Sequence, residues 1–236
     1  MREHQVQCLL MGGQACVLYG AAEFSRDTDL AILASEENAE RLARAMHALE
    51  AEVIAVPPFL LQHLEAGHAV HFRCHHPEAA GMRVDVMSRM RGVTDFLTLW
   101  ERRTTLVMDD GTLCDLLSLG DLVQAKKTQR DKDWPMIRRL VEANFFAHSS
   151  SPSPQQLTFW FQELRTPELL LDLVSAYPAL AQNESAKRDL IRHAIAGDLS
   201  SLVTAMEGEE RRERREDQAY WQPLKRELER LRRDSR

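Results

Sequence analysis

The chain has 236 residues, a hydrophobic fraction of 44% and a net charge of −6. That length holds one large domain or two small ones, and the apolar content supports a packed core. The acidic balance excludes the basic excess of a dedicated nucleic-acid binder, although local basic patches could still dock RNA. The four cysteines, Cys8, Cys16, Cys74 and Cys114, show no C-x-x-C spacing. With no signal peptide and no apolar run near about 18 residues, they read as reduced thiols of a cytoplasmic protein with no membrane span.

Met1 to Gln7 is a polar lead-in. Cys8-Leu9-Leu10-Met11 has the length and apolarity of a short buried strand. Gly12-Gly13 breaks it, and Gln14 to Ala22 follows as a short helix. Asp27-Thr28-Asp29 then leads into a second buried strand, Leu30-Ala31-Ile32-Leu33. Alternate strand residues share a face, so Asp27 and Asp29 project together, roughly 7 Å apart. Two such carboxylates can hold one or two Mg²⁺ ions, which take oxygen ligands. Glycine before a helix lets the backbone approach a phosphate, and the helix start offers free N–H groups. An acid-x-acid pair alone is equally the make-up of a solvated strand end. Strand, Gly-Gly, helix and acid-x-acid together are the equipment for phosphoryl or nucleotidyl transfer.

Ser35 is an N-cap for a helix to about Glu50, with acids in its first turn. Val53 to Val56 reads as a strand stopped by Pro57-Pro58. Phe59 to Ala66 is helical and closed by Gly67. Ala69 to Cys74 and Arg83 to Met87 form a strand hairpin around a turn at 75–81. Asp85 alternates with Val84 and Val86, so it faces away from the core if they face inward. His68, His71, His75 and His76 lack the spacing of a zinc finger and have no accompanying cysteine pair. They read as polar surface.

Thr94 to Arg103 is a short amphipathic helix. A second hairpin runs through 105–114, with Asp109 and Asp110 as turn residues. From Asp121 a helix carries Lys126, Lys127, Arg130 and Asp133, with Lys126 and Arg130 on one face. Such a run is also the ordinary make-up of a solvated face. Trp134-Pro135 predicts a break or kink. The segment 149–154, rich in Ser and Pro, is a linker, and everything beyond it reads as helix. Ser153-Pro154 and Thr166-Pro167 are helix starts. From Glu207 the chain is a long, exposed, charged helix bent near Pro223, with a partner or RNA contact as the alternative to a solvated face.

Gly12-Gly13, thirteen intervening residues and Asp27-Thr28-Asp29 resemble the motif of the DNA polymerase beta-like nucleotidyltransferase superfamily. The spacing, with Arg26 just before the acids, is nearest the AbiEii-like bacterial branch, which includes toxins. Gln14 departs from that branch, which often has a hydroxyl residue there. The resemblance spans about residues 8 to 140. It implies an α/β nucleotidyltransferase fold, a small mixed sheet with flanking helices over residues 1–148, followed by an all-helical domain over 149–236. It implies that Asp27, Asp29 and Asp85 hold two Mg²⁺ ions. Gly12, Gly13 and Arg26 would contact a nucleoside triphosphate, as would Lys126, chosen over Lys127, and Arg130. The expected reaction is transfer of a nucleoside monophosphate to an acceptor hydroxyl of RNA (a tRNA end among them), protein or a small molecule. The alternative is a non-catalytic nucleotide-binding or interaction module, such as the partner of an antitoxin. A metal-dependent nuclease ranks last, because Asp85 is followed by Arg89 and by no nearby lysine.

Overall fold

The computed structural model describes residues 1–234. They divide into two compact units, one of Met1–Leu18, Ala22–Ala125 and the chain from Ala219 onward, the other of Tyr19–Ala21 and Lys126–Gln218. No helix among the described residues is long and apolar enough to cross a membrane.

The first unit is α/β. In chain order it contains β1 (Cys8–Met11), α1 (Gly12–Leu18), β2 (Asp27–Ile32), α2 (Glu36–Ala48), β3 (Glu52–Val53), α3 (Leu61–Ala66), β4 (Val70–Arg73), β5 (Arg83–Met87), α4 (Phe96–Glu101), β6 (Thr104–Val107), β7 (Leu113–Leu116) and α5 (Leu119–Ala125). The seven strands form one mixed sheet in the order β3-β4-β5-β2-β1-β7-β6. Strands β2 and β5 run parallel, as do β1 and β7, and the other neighbours are antiparallel. The strand expected over Val53 to Val56 is shorter and ends at Val53, ahead of Pro57 and Pro58, neither of which has an N–H to donate to a ladder.

Local chemistry accounts for these elements. Ser35 caps α2 by accepting from the Asn38 N–H, with Glu36 and Glu37 in the first turn. Buried and half-exposed residues alternate along β5, with Val84 and Val86 inward. Val84 is paired with Phe72 of β4 and Val86 with Val70, which makes one continuous apolar face. Each such side chain taken fully out of water contributes about 1.5–3 kcal/mol. The same alternation turns Arg83 and Asp85 to the opposite face.

The second unit is helical: α6 (Asp133–His148), α7 (Pro154–Glu163), α8 (Pro167–Ala176), α9 (Pro178–Glu184), α10 (Ile191–Ile195) and the first part of α11 (Leu199–Asp234). Residues 149–153 join α6 to α7. Ser153 and Gln156 form a full capping box at the start of α7. Thr166 makes no cap; its hydroxyl donates to Glu142 instead. Trp160 and Phe161 are wholly buried. The Arg188 guanidinium donates to the carbonyls of Phe161 (3.0 Å) and Leu164 (2.9 Å), so a buried cation satisfies the end of α7. Its charge is balanced by Glu209 at 2.8 Å.

Two expectations fail here. The helix from Asp121 to Asp133 stops at Ala125. Thr128 competes for the backbone. Its hydroxyl donates to Asp133 (2.5 Å) and accepts from the Arg130 N–H (3.1 Å), while its carbonyl accepts from Trp134 Nε1 (2.8 Å). Lys126 and Arg130 therefore share no helical face. Pro135 does not interrupt a helix either, because it lies in the first turn of α6, where its missing N–H has no intrahelical partner to lose. The charged C-terminal helix is continuous from Leu199, and Asp217 within it is buried, accepting from the Gln129 N–H at 2.8 Å.

Candidate functional site

Strand register assembles the site. Asp29 of β2 is paired with Met11 of β1 on one side and with Asp85 of β5 on the other. His71 of β4 is paired with Asp85. Asp29, Asp85 and His71 thus lie in one row across adjacent strands, about 4.8 Å apart from strand to strand. Asp27 and Arg83 are the next pair along the same two strands. Two residues along a strand return to the same face, so Asp27, Asp29, Asp85, Arg83 and His71 share it.

Asp85 is held tightly. Arg83 grips it with two hydrogen bonds, Nε to Oδ1 at 2.9 Å and an NH2 to Oδ2 at 3.0 Å. His71 Nδ1 lies 2.8 Å from Asp85 Oδ1 and 3.1 Å from the same Arg83 NH2. That ring nitrogen donates to Asp85 when protonated and accepts from Arg83 when not. Burial pushes the Asp85 carboxyl up, but the hydrogen bonds from His71 and Arg83 outweigh it and hold the group below the usual carboxylate range. The Arg83 guanidinium is pushed up by its bond to Asp85, and the charges of Asp27 and Asp29 add to this. Arg83 and His71 were not assigned to the site from sequence. The signal was present for Arg83, which stands two residues before Asp85 on the same strand.

The glycine pair has a specific steric duty. Gly12 has φ of +67°, and a Cβ on it would fall 1.8 Å from Asp29 Oδ2. The Asp29 carboxylate therefore occupies the space that any side chain at position 12 would need. A Cβ on Gly13 would fall 2.3 Å from Ser25 Oγ. Gln14, where the resembled branch often has a hydroxyl, donates to Thr28 Oγ1 at 3.0 Å. Arg26 is exposed, in the loop ahead of β2.

Lys126 and Arg130 belong to the second unit. Both surround Asp133: Arg130 Nε is 2.7 Å from Oδ2, and Lys126 Nζ is 3.7 Å from Oδ1. Lys127 pairs with Glu163 at 2.8 Å. Both lysines are buried rather than on a solvated face, Lys126 against the buried Asp133 and Lys127 against the half-buried Glu163.

The four histidines read as polar surface divide. His75 is exposed beside Glu52, and His76 accepts from the Glu78 N–H at the head of a 3-10 turn. His71 belongs to the acidic row. His68 is buried, because the chain reversal at Gly67 turns it inward. A cleft of about 710 Å³ is lined by Leu10, Gln14, Val17, Phe24, Met108 and Cys114, among others. Leu10 alternates with Met11, so it faces away from the acidic row.

No family model matches the chain, and no curated protein matches it.

Proposed function

We propose that the chain is a Mg²⁺-dependent nucleotidyltransferase that moves a nucleoside monophosphate from a triphosphate to an acceptor hydroxyl. The observation that carries this reading is the register of Asp29 with Asp85, with Asp27 on the same face and the Gly12 backbone against the Asp29 carboxylate. The donor set suits the ion: three carboxylates offer only hard oxygen ligands. Asp27, Asp29 and Asp85 would hold it. When bound, Mg²⁺ supplies Lewis-acid charge to the triphosphate and lowers the pKa of the acceptor hydroxyl. Asp85, ionised throughout the neutral range, accepts a hydrogen bond from that hydroxyl and orients it. Arg83 supplies a cation on the same face, placed to offset negative charge that develops on phosphoryl oxygens. Gly12 and Gly13, at the start of α1, would offer backbone N–H groups to the β and γ phosphates.

One observation favours the second reading, a nucleotide-binding or interaction module without catalysis. Arg83 and His71 already satisfy Asp85, so the carboxylate has partners without any metal. One experiment separates the two. The full chain is incubated with each labelled nucleoside triphosphate, Mg²⁺ and either total RNA or cell extract. Transfer predicts label on RNA, protein or a small product, with pyrophosphate released, and loss of both in Asp29→Asn. Triphosphate binding with no pyrophosphate in any condition supports the module.

A further inference from the structure

A second cluster lies in the first unit and uses none of the residues assigned to transfer. Helix α3 ends at Gly67, whose φ of +99° reverses the chain. The Gly67 N–H bonds to the Leu64 carbonyl at 2.9 Å, and the His68 N–H reaches back to the His63 carbonyl at 2.9 Å. This pair of bonds is the Schellman closure, which brings the side chains of its first and last residues together, ordinarily as an apolar contact. Here both side chains are imidazoles, with ring centroids 5.9 Å apart and planes at 74°. His63 is buried and His68 is 1% exposed.

Helix α11 brings a carboxylate to them. Glu227 Oε2 lies 3.0 Å from His68 Nε2. Leu224, three residues earlier, packs at Gly67, with its Cδ1 3.7 Å from where a Cβ there would be. One ligand atom from each of His63, His68 and Glu227 lies within 4.8 Å of the others. A buried imidazole normally satisfies both ring nitrogens. His68 does not: among the described residues neither Nδ1 nor Nε2 makes a hydrogen bond, although Glu227 Oε2 lies 3.0 Å from Nε2. A buried ring with open nitrogens, facing a second ring and a carboxylate, is arranged for a ligand other than a protein group.

We propose that His63, His68 and Glu227 form a Zn²⁺ site. Two imidazole nitrogens and one carboxylate oxygen suit Zn²⁺, whereas Mg²⁺ and Ca²⁺ take all-oxygen shells. A tetrahedral ion at about 2.0–2.1 Å from each ligand atom needs those atoms about 3.4 Å apart, so modest side-chain rotation closes the set. The Glu227 side chain is 42% exposed, so a water completes the fourth position from the solvent side. The ion clasps the segment of α11 that follows Ala219 to the end of α3. Each imidazole would bind the ion through an unprotonated ring nitrogen.

The test uses the full chain, stripped with a chelator and titrated with Zn²⁺ in excess Mg²⁺, which occupies the carboxylate row. The expected result is one Zn²⁺ per chain, a raised Tm, and tetrahedral visible absorption when Co²⁺ replaces Zn²⁺. Glu227 is partly exposed, so Glu227→Gln should fold. It should weaken Zn²⁺ binding by more than the roughly 10–100-fold that loss of an outer-shell partner costs. His68→Gln should abolish the tetrahedral absorption. Three results would overturn the site: no stoichiometric Zn²⁺, Zn²⁺ affinity unchanged in Glu227→Gln, or a Tm loss in Glu227→Gln that is equal with and without Zn²⁺. The last would leave a plain His68–Glu227 contact. Zn²⁺ binding lost in Asp29→Asn but kept in Glu227→Gln would place the ion at the acidic row and also overturn it.

Discussion

Asp85 and Arg83 stand two residues apart on one strand and are joined by two hydrogen bonds, of 2.9 and 3.0 Å. The pairing puts a cation where the proposed chemistry needs a metal. Arg83→Ala should therefore tighten Mg²⁺ binding, because the ion no longer competes with a guanidinium. Arg83 is 39% exposed, so screening limits the gain to about 3–10-fold. Titration calorimetry with Mg²⁺ measures it. An unchanged affinity would remove Asp85 from the ligand set.

The same pairing makes stability depend on acid. The folded Asp85 carboxyl is depressed below its unfolded value of about 3.9. Its contribution is therefore fully present above about pH 4 and is lost as the pH falls through the folded value, where the unfolded state binds the extra proton. Asp85→Asn has no such group to titrate. Urea unfolding at about pH 5 and pH 3 should show the parent losing more stability on acidification than Asp85→Asn does. Equal losses would mean that Arg83 and His71 do not hold the charge.

Gly12→Ala meets two obstacles, a left-handed φ of +67° and the Asp29 carboxylate 1.8 Å from the new Cβ. The first costs about 1–2 kcal/mol. The second forces Asp29 to move and should bring the total to several kcal/mol. Pairing it with Asp29→Gly removes the second obstacle only. The double variant should thus show a coupling of about 1–3 kcal/mol in a thermodynamic cycle, read by chemical unfolding. Additive losses would mean that backbone strain alone explains the glycine.

The two lysines should differ in their contribution to stability. Lys127→Ala leaves the half-buried Glu163 without its partner at 2.8 Å. Breaking a fully buried pair from one side costs about 3–5 kcal/mol, and this part-buried one should cost less, about 1–3 kcal/mol. Lys126→Ala removes a looser contact of 3.7 Å from Asp133, which keeps Arg130 and Thr128. It should cost less in chemical unfolding. The reverse order would mean that Asp133 depends on Lys126 more than Glu163 depends on Lys127.

Much of the acidic row could be read from the chain, because it rests on local rules. Alternation puts Asp27 with Asp29, and the alternation of Val84, Asp85 and Val86 turns Asp85 off the core. The parallel pairing of β2 with β5 could not be read, since Asp85 lies 56 positions after its partner Asp29 and nothing local marks that neighbour. The loop after Ala125 misled because helix spacing was applied to Lys126 and Arg130, while Thr128 drew the backbone out of the helix. His68 read as surface because its burial depends on Gly67 and on Glu227, far along the chain. Zinc-finger spacing tests only ligands that are near in sequence, so it had no bearing on a set drawn from α3 and α11.

Asp29→Asn separates catalysis from scaffold. The substitution keeps size and shape but removes one charge. In the metal-free site Asp27, Asp29 and Asp85 oppose one another, and Arg83 is the cation that feels all three. Removing the Asp29 charge relieves its repulsion with Asp27 and Asp85 and weakens its attraction to Arg83. The metal-free variant should therefore be as stable as the parent or slightly more so, in keeping with the cost that functional sites impose on stability. Mg²⁺ should then stabilise it less, because ligand-linked stabilisation follows RT ln(1 + [L]/Kd) and Kd rises when a ligand is lost. Transfer should fall by orders of magnitude, because electrostatic stabilisation of the transferring group is the largest part of such catalysis. The measurement is thermal melting of both proteins with and without Mg²⁺ and triphosphate, run beside the transfer assay. Equal Mg²⁺-dependent shifts in the two proteins would falsify the ligand role of Asp29 and leave the acidic row as part of a binding module.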